Sequence, residues 1–120
     1  MASKMITMYA EKKYELSEIR EEMKRNLEAE FGGEAEHELG ETKTLLLIWE
    51  RWYIRTGSYA SVSVLLTEFR GYQCADIISS GGKDDFFSWG AEENFAKCAE
   101  DVLRELGFSG KSDNYKGTGI

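Results

Sequence analysis

The chain has 120 residues, 42% of them hydrophobic and 31% charged, and carries a formal net charge of −7. That length fits a single domain that buries about two-thirds of its unfolded surface and needs no disulfide or metal to hold its core. No apolar run nears the roughly 20 residues that span a bilayer, the first residues lack the apolar stretch of a signal peptide, and the acidity opposes nucleic-acid phosphates; the expectation is a cytoplasmic protein with no membrane or nucleic-acid partner.

The opening segment "KMITMYAEKKYE" alternates, with Ile6, Met8 and Ala10 on one side and Met5, Thr7 and Tyr9 on the other. It predicts a first strand. Ser17 can then cap a helix whose first turn holds Glu18. Ile19, Met23, Leu27 and Phe31 recur every four residues as one apolar stripe, and Gly32 and Gly33 stop it. The acidic segment "EAEHELGE" reads as a connector. "TKTLLLIWERWYIR" and "SYASVSVLLTEFR", separated by "TGS", predict a hairpin, and "YQCADIISS" predicts a shorter strand. A last helix follows Ser88, with Ala91, Phe95, Cys98, Ala99, Val102 and Leu106 on its apolar side. Gly107 ends it, and Phe108 folds back onto Leu103.

This order, β-α-β-β-β-α, predicts an α+β two-layer sandwich: an antiparallel sheet of about four strands with two helices on one face. The domain is expected to span residues 1–108, with 109–120 a flexible C-terminal tail.

The hairpin decides the functional reading. A three-residue loop, Arg55–Thr56–Gly57, pairs Ile54 with Ser58, Trp52 with Ala60, Glu50 with Val62, Ile48 with Val64 and Leu46 with Leu66. That face is the expected core side. The opposite face then carries Leu45, Leu47, Trp49, Arg51 and Tyr53 beside Tyr59, Ser61, Ser63, Leu65 and Thr67. Three aromatics and three leucines exceed the roughly 300–600 Å² of apolar patch that monomers leave exposed. A binding surface of Leu45, Leu47, Trp49, Arg51, Tyr53, Tyr59 and Leu65, for a homodimer or a protein partner, is therefore expected. The alternatives are a cover formed by residues 82–89 or by the tail, and a small-ligand surface.

Other sites are weaker. "SSGGKDDFFSWGAEENF" looks like a phosphate loop, but Asp84 stands where the hydroxyl should be and four carboxylates crowd the amides. Gly81 and Gly82 instead predict a tight turn, with Phe86, Phe87 and Trp89 anchoring the helix entrance; a cation site at Asp84 and Asp85 lacks the ligand pattern of a calcium loop. His37 lies among glutamates and has no metal-like partners. Cys74 and Cys98 sit in no metal or catalytic spacing. The stretch "WERWYIR" interleaves aromatics with Arg51 and Arg55, as single-strand platforms do, against the chain's overall charge. Glu50, directed toward the core in this register, defines with Trp52 and Trp89 an alternative pocket between sheet and helices, where a desolvated carboxyl could act as an acid. No catalytic residue, metal or cofactor is expected.

Two motifs together carry a resemblance. In "WERWYIRTGSYASVSVLL", Glu50, Tyr53, Arg55 and Ser61 fit, and in "SGG…FFSWGAEENF", Gly81, Gly82, Trp89, Gly90, Glu92 and Phe95 fit. On these the chain resembles the small bacterial domain-of-unknown-function family DUF6054 over about residues 5–106. The resemblance implies a small intracellular α+β domain and transfers no activity.

Overall fold

The structure, a computed structural model, describes residues 3–53, 57–81 and 91–110. Six strands and two helices follow in the order β1 (Ser3–Glu11), α1 (Leu16–Asn26), β2 (Glu30–Leu39), β3 (Thr42–Tyr53), β4 (Ser58–Phe69), β5 (Tyr72–Gly81), α2 (Ala91–Glu105) and β6 (Ser109–Gly110). They form one antiparallel sheet ordered β2-β3-β4-β5-β1-β6. The α+β class is as expected, whereas the sheet has six strands rather than about four.

The first added strand is β2, which occupies the "EAEHELGE" connector and runs along β3 from Glu30 opposite Glu50 to Leu39 opposite Thr42. It is an edge strand whose side chains are mostly exposed, so a hydrophobic pattern has nothing to report there. Ladder hydrogen bonds to β3 hold it instead. The second is β6, where Ser109 and Gly110 pair with Tyr9 and Met8. The expected tail therefore contributes its first two residues to the sheet; residues 111–120 lie outside those described.

Helix α1 starts earlier and ends sooner than its stripe predicts. Glu15, not Ser17, is its N-cap, and the Glu15 backbone N–H donates to the Glu18 carboxylate at 2.8 Å. At the other end the Asn26 side chain donates to the Glu22 carbonyl, a local bond that competes with helix continuation. Leu27 leaves in extended conformation yet stays buried. Phe31 is consequently a β2 residue, and its ring meets Trp49 edge-on at 5.4 Å. Helix α2 ends as expected: the Gly107 N–H donates to Arg104 and the Phe108 N–H to Leu103, the paired bonds of a Schellman stop. Ser88 lies outside the described residues.

Both helices cover the same face. Helix α2 lies against β5, β4 and β1, and α1 packs beside it. Ile19, Met23, Phe95, Ala99 and Leu103 meet Met8, Leu45, Leu47, Trp49, Val62, Val64, Leu66, Ala75 and Ile77 in a single core cluster.

The hairpin ladder differs from expectation by one residue. Tyr53 pairs with Ser58, Trp52 with Tyr59, Arg51 with Ala60, Trp49 with Val62, Leu47 with Val64 and Leu45 with Leu66. Residues 54–57 connect the strands; of these, 54–56 lie outside the described set. On β4 the expected core side, Ala60, Val62, Val64 and Leu66, is the buried one. On β3 the faces are exchanged, as a slip of one residue requires.

Candidate functional site: the helix-free face of the sheet

The exchange relocates most of the predicted surface. Leu45, Leu47 and Trp49 are buried in the core beneath the helices. Arg51 is also on the helix side: its guanidinium stacks over Phe95, 4.5 Å from the ring centroid, and its Nε donates to the Glu28 carbonyl at 2.8 Å. It joins β3 to α2 and to the α1–β2 connection, and is not a surface contact. Tyr53 forms the last rung of the ladder, opposite Ser58. Of the expected set, Tyr59 and Leu65 lie on the outer face.

Two residues of the alternative pocket are relocated as well. Glu50 and Trp52 alternate with Arg51, so they stand on the face without helices, not between sheet and helices; Glu50 is exposed and Trp52 is 50% exposed. Trp89, Phe86, Phe87, Asp84, Asp85 and Gly82 lie outside the described residues. Gly81 is the last residue of β5, opposite Ala60.

What the register builds on the outer side is a continuous face. Its rungs run across β3, β4 and β5: Glu50–Ser61–Ser80, Ile48–Ser63–Ile78, Leu46–Leu65–Asp76 and Thr44–Thr67–Cys74. Met5 and Thr7 of β1 continue the second and third rungs. An apolar band of Leu46, Ile48, Leu65, Ile78 and Met5 crosses the middle, with Ile78 44% and Met5 63% exposed. Trp52 and Tyr59 close one end as an edge-to-face pair, and Phe69 and Tyr72 close the other. The missed residues Ile48, Leu46 and Ile78 carried one available signal. An even-numbered β3 set, from Leu46 to Trp52, is as apolar as the odd-numbered set, so only the loop length could tell which side faced inward.

Thr7 Oγ1 donates to Asp76 Oδ1 at 2.7 Å. Burial, and then the charge of Asp76, push the Cys74 thiol up to about 11. At neutral pH it is a protonated thiol and a poor nucleophile. His37 lies on β2 opposite Thr44. Among the described residues no group of three His, Cys, Asp or Glu side chains is placed to hold a metal, and no helix is long and apolar enough to cross a membrane. A groove of about 480 Å³ does run along α1, lined by Tyr14, Ser17, Arg20, Glu21 and Leu106 among others. Its Arg20 is already held by Glu21 and by Glu34 of β2, so this groove is an ion-paired helix surface.

Residues 1–107 match the model of a family of unknown function, DUF6054. The chain belongs to that family. No curated protein and no solved structure gives a significant match. Membership agrees with the resemblance carried by the "WERWYIR" and "SGG…FFSWG" motifs and brings no catalytic assignment with it. The first of these motifs now has a structural meaning. Its alternate residues divide between the core, with Trp49 and Arg51, and the open face, with Glu50 and Trp52.

Proposed function

We propose that this domain is a non-enzymatic protein-docking module whose working surface is the helix-free face of its sheet. One observation carries the reading: both helices pack on the same side, leaving Ile48, Trp52, Tyr59, Ile78 and Met5 exposed together on the other. A sheet with one solvated face normally carries polar residues on that face; here the outer positions of β3 from Thr44 to Trp52 are Thr44, Leu46, Ile48, Glu50 and Trp52, three of them large and apolar. Five strands at about 4.8 Å spacing and roughly ten residues of length give about 700 Å² of face. That is near the roughly 800 Å² per partner of a stable protein–protein interface. The aromatics at the two ends suit it further, because Trp and Tyr are the residues that most often anchor such contacts.

Thiol footprinting tests this. In a background carrying Cys74→Ser and Cys98→Ala, Ser63→Cys places a probe in the middle of the face and Glu21→Cys places a control on α1. Maleimide should label Ser63→Cys more slowly in cells than in the dilute purified protein, while Glu21→Cys labels equally in both. Equal labelling of Ser63→Cys in the two settings would refute the docking role.

A further inference from the structure

The sign of the charges on the open face narrows its occupant. From β2 to β1 the outward positions include Glu30, Glu50, Asp76 and Glu11, and among the described residues no lysine or arginine. The sheet's cations are placed elsewhere: Lys4, Lys43 and Arg51 at helix-side positions of the register, Arg70 in the β4–β5 turn, where it pairs with Glu41. Glu30 and Glu50 sit directly opposite each other on neighbouring strands, both exposed. Like charges at that position repel, and among the described residues no cation stands between them. This unfavourable rung lies beside the Trp52–Tyr59 pair, at the margin of the apolar band.

We infer that the open face receives a cationic amphipathic helix of a protein partner, with an apolar stripe on Leu46, Ile48, Leu65 and Ile78 and a lysine or arginine between Glu30 and Glu50. This rests on the docking reading above. A second copy of the chain fits less well, because face-to-face pairing would bring the same carboxylates of both copies together in a desolvated layer. Anionic lipid surfaces and nucleic acids meet the same repulsion. A helix suits the surface because the strands beneath it already pair with one another across the sheet, leaving side-chain packing as the means of contact. The domain's inner face shows the geometry: α2, with 15 residues, spans β5, β4 and β1. A partner helix of about 15–18 residues, roughly 25 Å long at 1.5 Å per residue, covers the outer face to the same extent. A cation near Trp52 gains further from the ring face.

The probe is a designed Leu–Lys amphipathic helix of about 18 residues, titrated into the full chain by calorimetry. A Leu–Glu helix of the same pattern and a Lys–Ser peptide of the same charge without an apolar stripe are the comparisons. Saturable one-to-one binding of the Leu–Lys helix alone is expected. Ile48→Lys should weaken it about tenfold or more, and so should the Glu30→Gln/Glu50→Gln double variant. That double variant should melt no lower than the wild type, because it removes a repulsion; a merely structural role would lower its melting temperature. Equal binding of the Lys–Ser peptide, equal binding of the Leu–Glu helix, or indifference to both sets of substitutions would overturn the cationic-helix assignment. A concentration-dependent dimer abolished by Ile48→Lys, with no Leu–Lys binding, would replace the cationic helix by a second copy and leave the docking reading standing. A monomer that binds no peptide, with Ser63→Cys unprotected in cells, would remove both.

Discussion

Trp52 and Tyr59 stand edge to face across one rung of the hairpin, ring centroids 5.0 Å apart and planes inclined at 63°. This contact belongs to a register in which Trp49, three residues earlier, faces the opposite way, and Trp49 is 1% exposed. The two tryptophans are therefore expected to respond very differently to truncation. Trp49→Ala should cost about 3–5 kcal/mol, the range for emptying a large core site. Trp52→Ala should cost about 1 kcal/mol or less, chiefly its aromatic pair. Urea denaturation of both variants makes the comparison, and similar losses would contradict the register. Trp49→Glu, by placing a charge in the core, should prevent folding altogether and is unsuitable as a probe of the surface.

The same two residues show how much of the fold was legible. On β4 the alternation of Ala60, Val62, Val64 and Leu66 with Tyr59, Ser61 and Ser63 is clean, and its buried side follows from composition. On β3 both sides are apolar, so the assignment passed entirely to the loop, and taking three residues for the loop instead of four exchanged the faces. Strand β2 was hidden for the opposite reason. Its alternation of Glu34, Glu36 and Glu38 with Ala35, His37 and Leu39 has period two, but glutamate is a poor strand former and neither side is buried. That both helices lie on one side was legible from their apolar stripes; which β3 residues the other side held was not, and Leu45, Leu47 and Trp49 lie in the core instead.

Cys74 offers a direct reading of the open face. Its thiol lies at about 11 because burial, and then Asp76, disfavour the thiolate. Alkylation by iodoacetamide at pH 8 should be slow and should accelerate steeply toward pH 11. Asp76→Asn removes the charge and should speed the reaction at pH 8. The folded value exceeds the ordinary 9.0, so the folded state holds its proton longer, and this group's contribution to stability falls as pH rises from about 9 to about 11. A rate at pH 8 equal to that of the unfolded chain would show that the face is open at this position.

Gly81 and Gly71 both adopt positive φ, yet substitution should separate them. Gly71 follows Arg70 in the two-residue β4–β5 turn, where both have φ > 0, and a Cβ there meets nothing within 4 Å. Gly71→Ala should cost about 1–2 kcal/mol of backbone strain. At Gly81, with φ +126°, a Cβ would lie 2.6 Å from both the Ala60 Cα and the Tyr59 carbonyl oxygen. Gly81→Ala adds a backbone clash to the strain, and β5 would have to part from β4 beside Tyr59. Its melting temperature should fall further than that of Gly71→Ala; equal falls would mean that β4 and β5 yield there without cost.

Glu68 fastens the segment between β1 and α1 to the sheet, and its titration should be visible in the pH dependence of stability. Gln73 Nε2 donates to Glu68 Oε1 and to the Tyr14 carbonyl, each at 2.9 Å, and Lys12 Nζ donates to Glu68 Oε2 at 2.9 Å. Desolvation raises the Glu68 carboxyl, but the hydrogen bonds from Gln73 and Lys12 and the charges of Lys12 and Lys43 outweigh it, leaving it below the ordinary 4.5. The unfolded chain therefore takes up this proton first as pH falls. The contribution is present in full above about 4.5 and is lost as pH drops through the lower folded value. Wild type should lose more stability between pH 5 and pH 3 than Glu68→Gln, which carries no proton to titrate there. Lys12→Met removes one of the groups holding the carboxyl down, so the folded value moves up toward 4.5 and the variant should lose less stability over this range than the wild type. Parallel pH profiles for wild type and Glu68→Gln would show that the connection is held by packing of Leu16 and Ile19 alone, without help from the carboxylate.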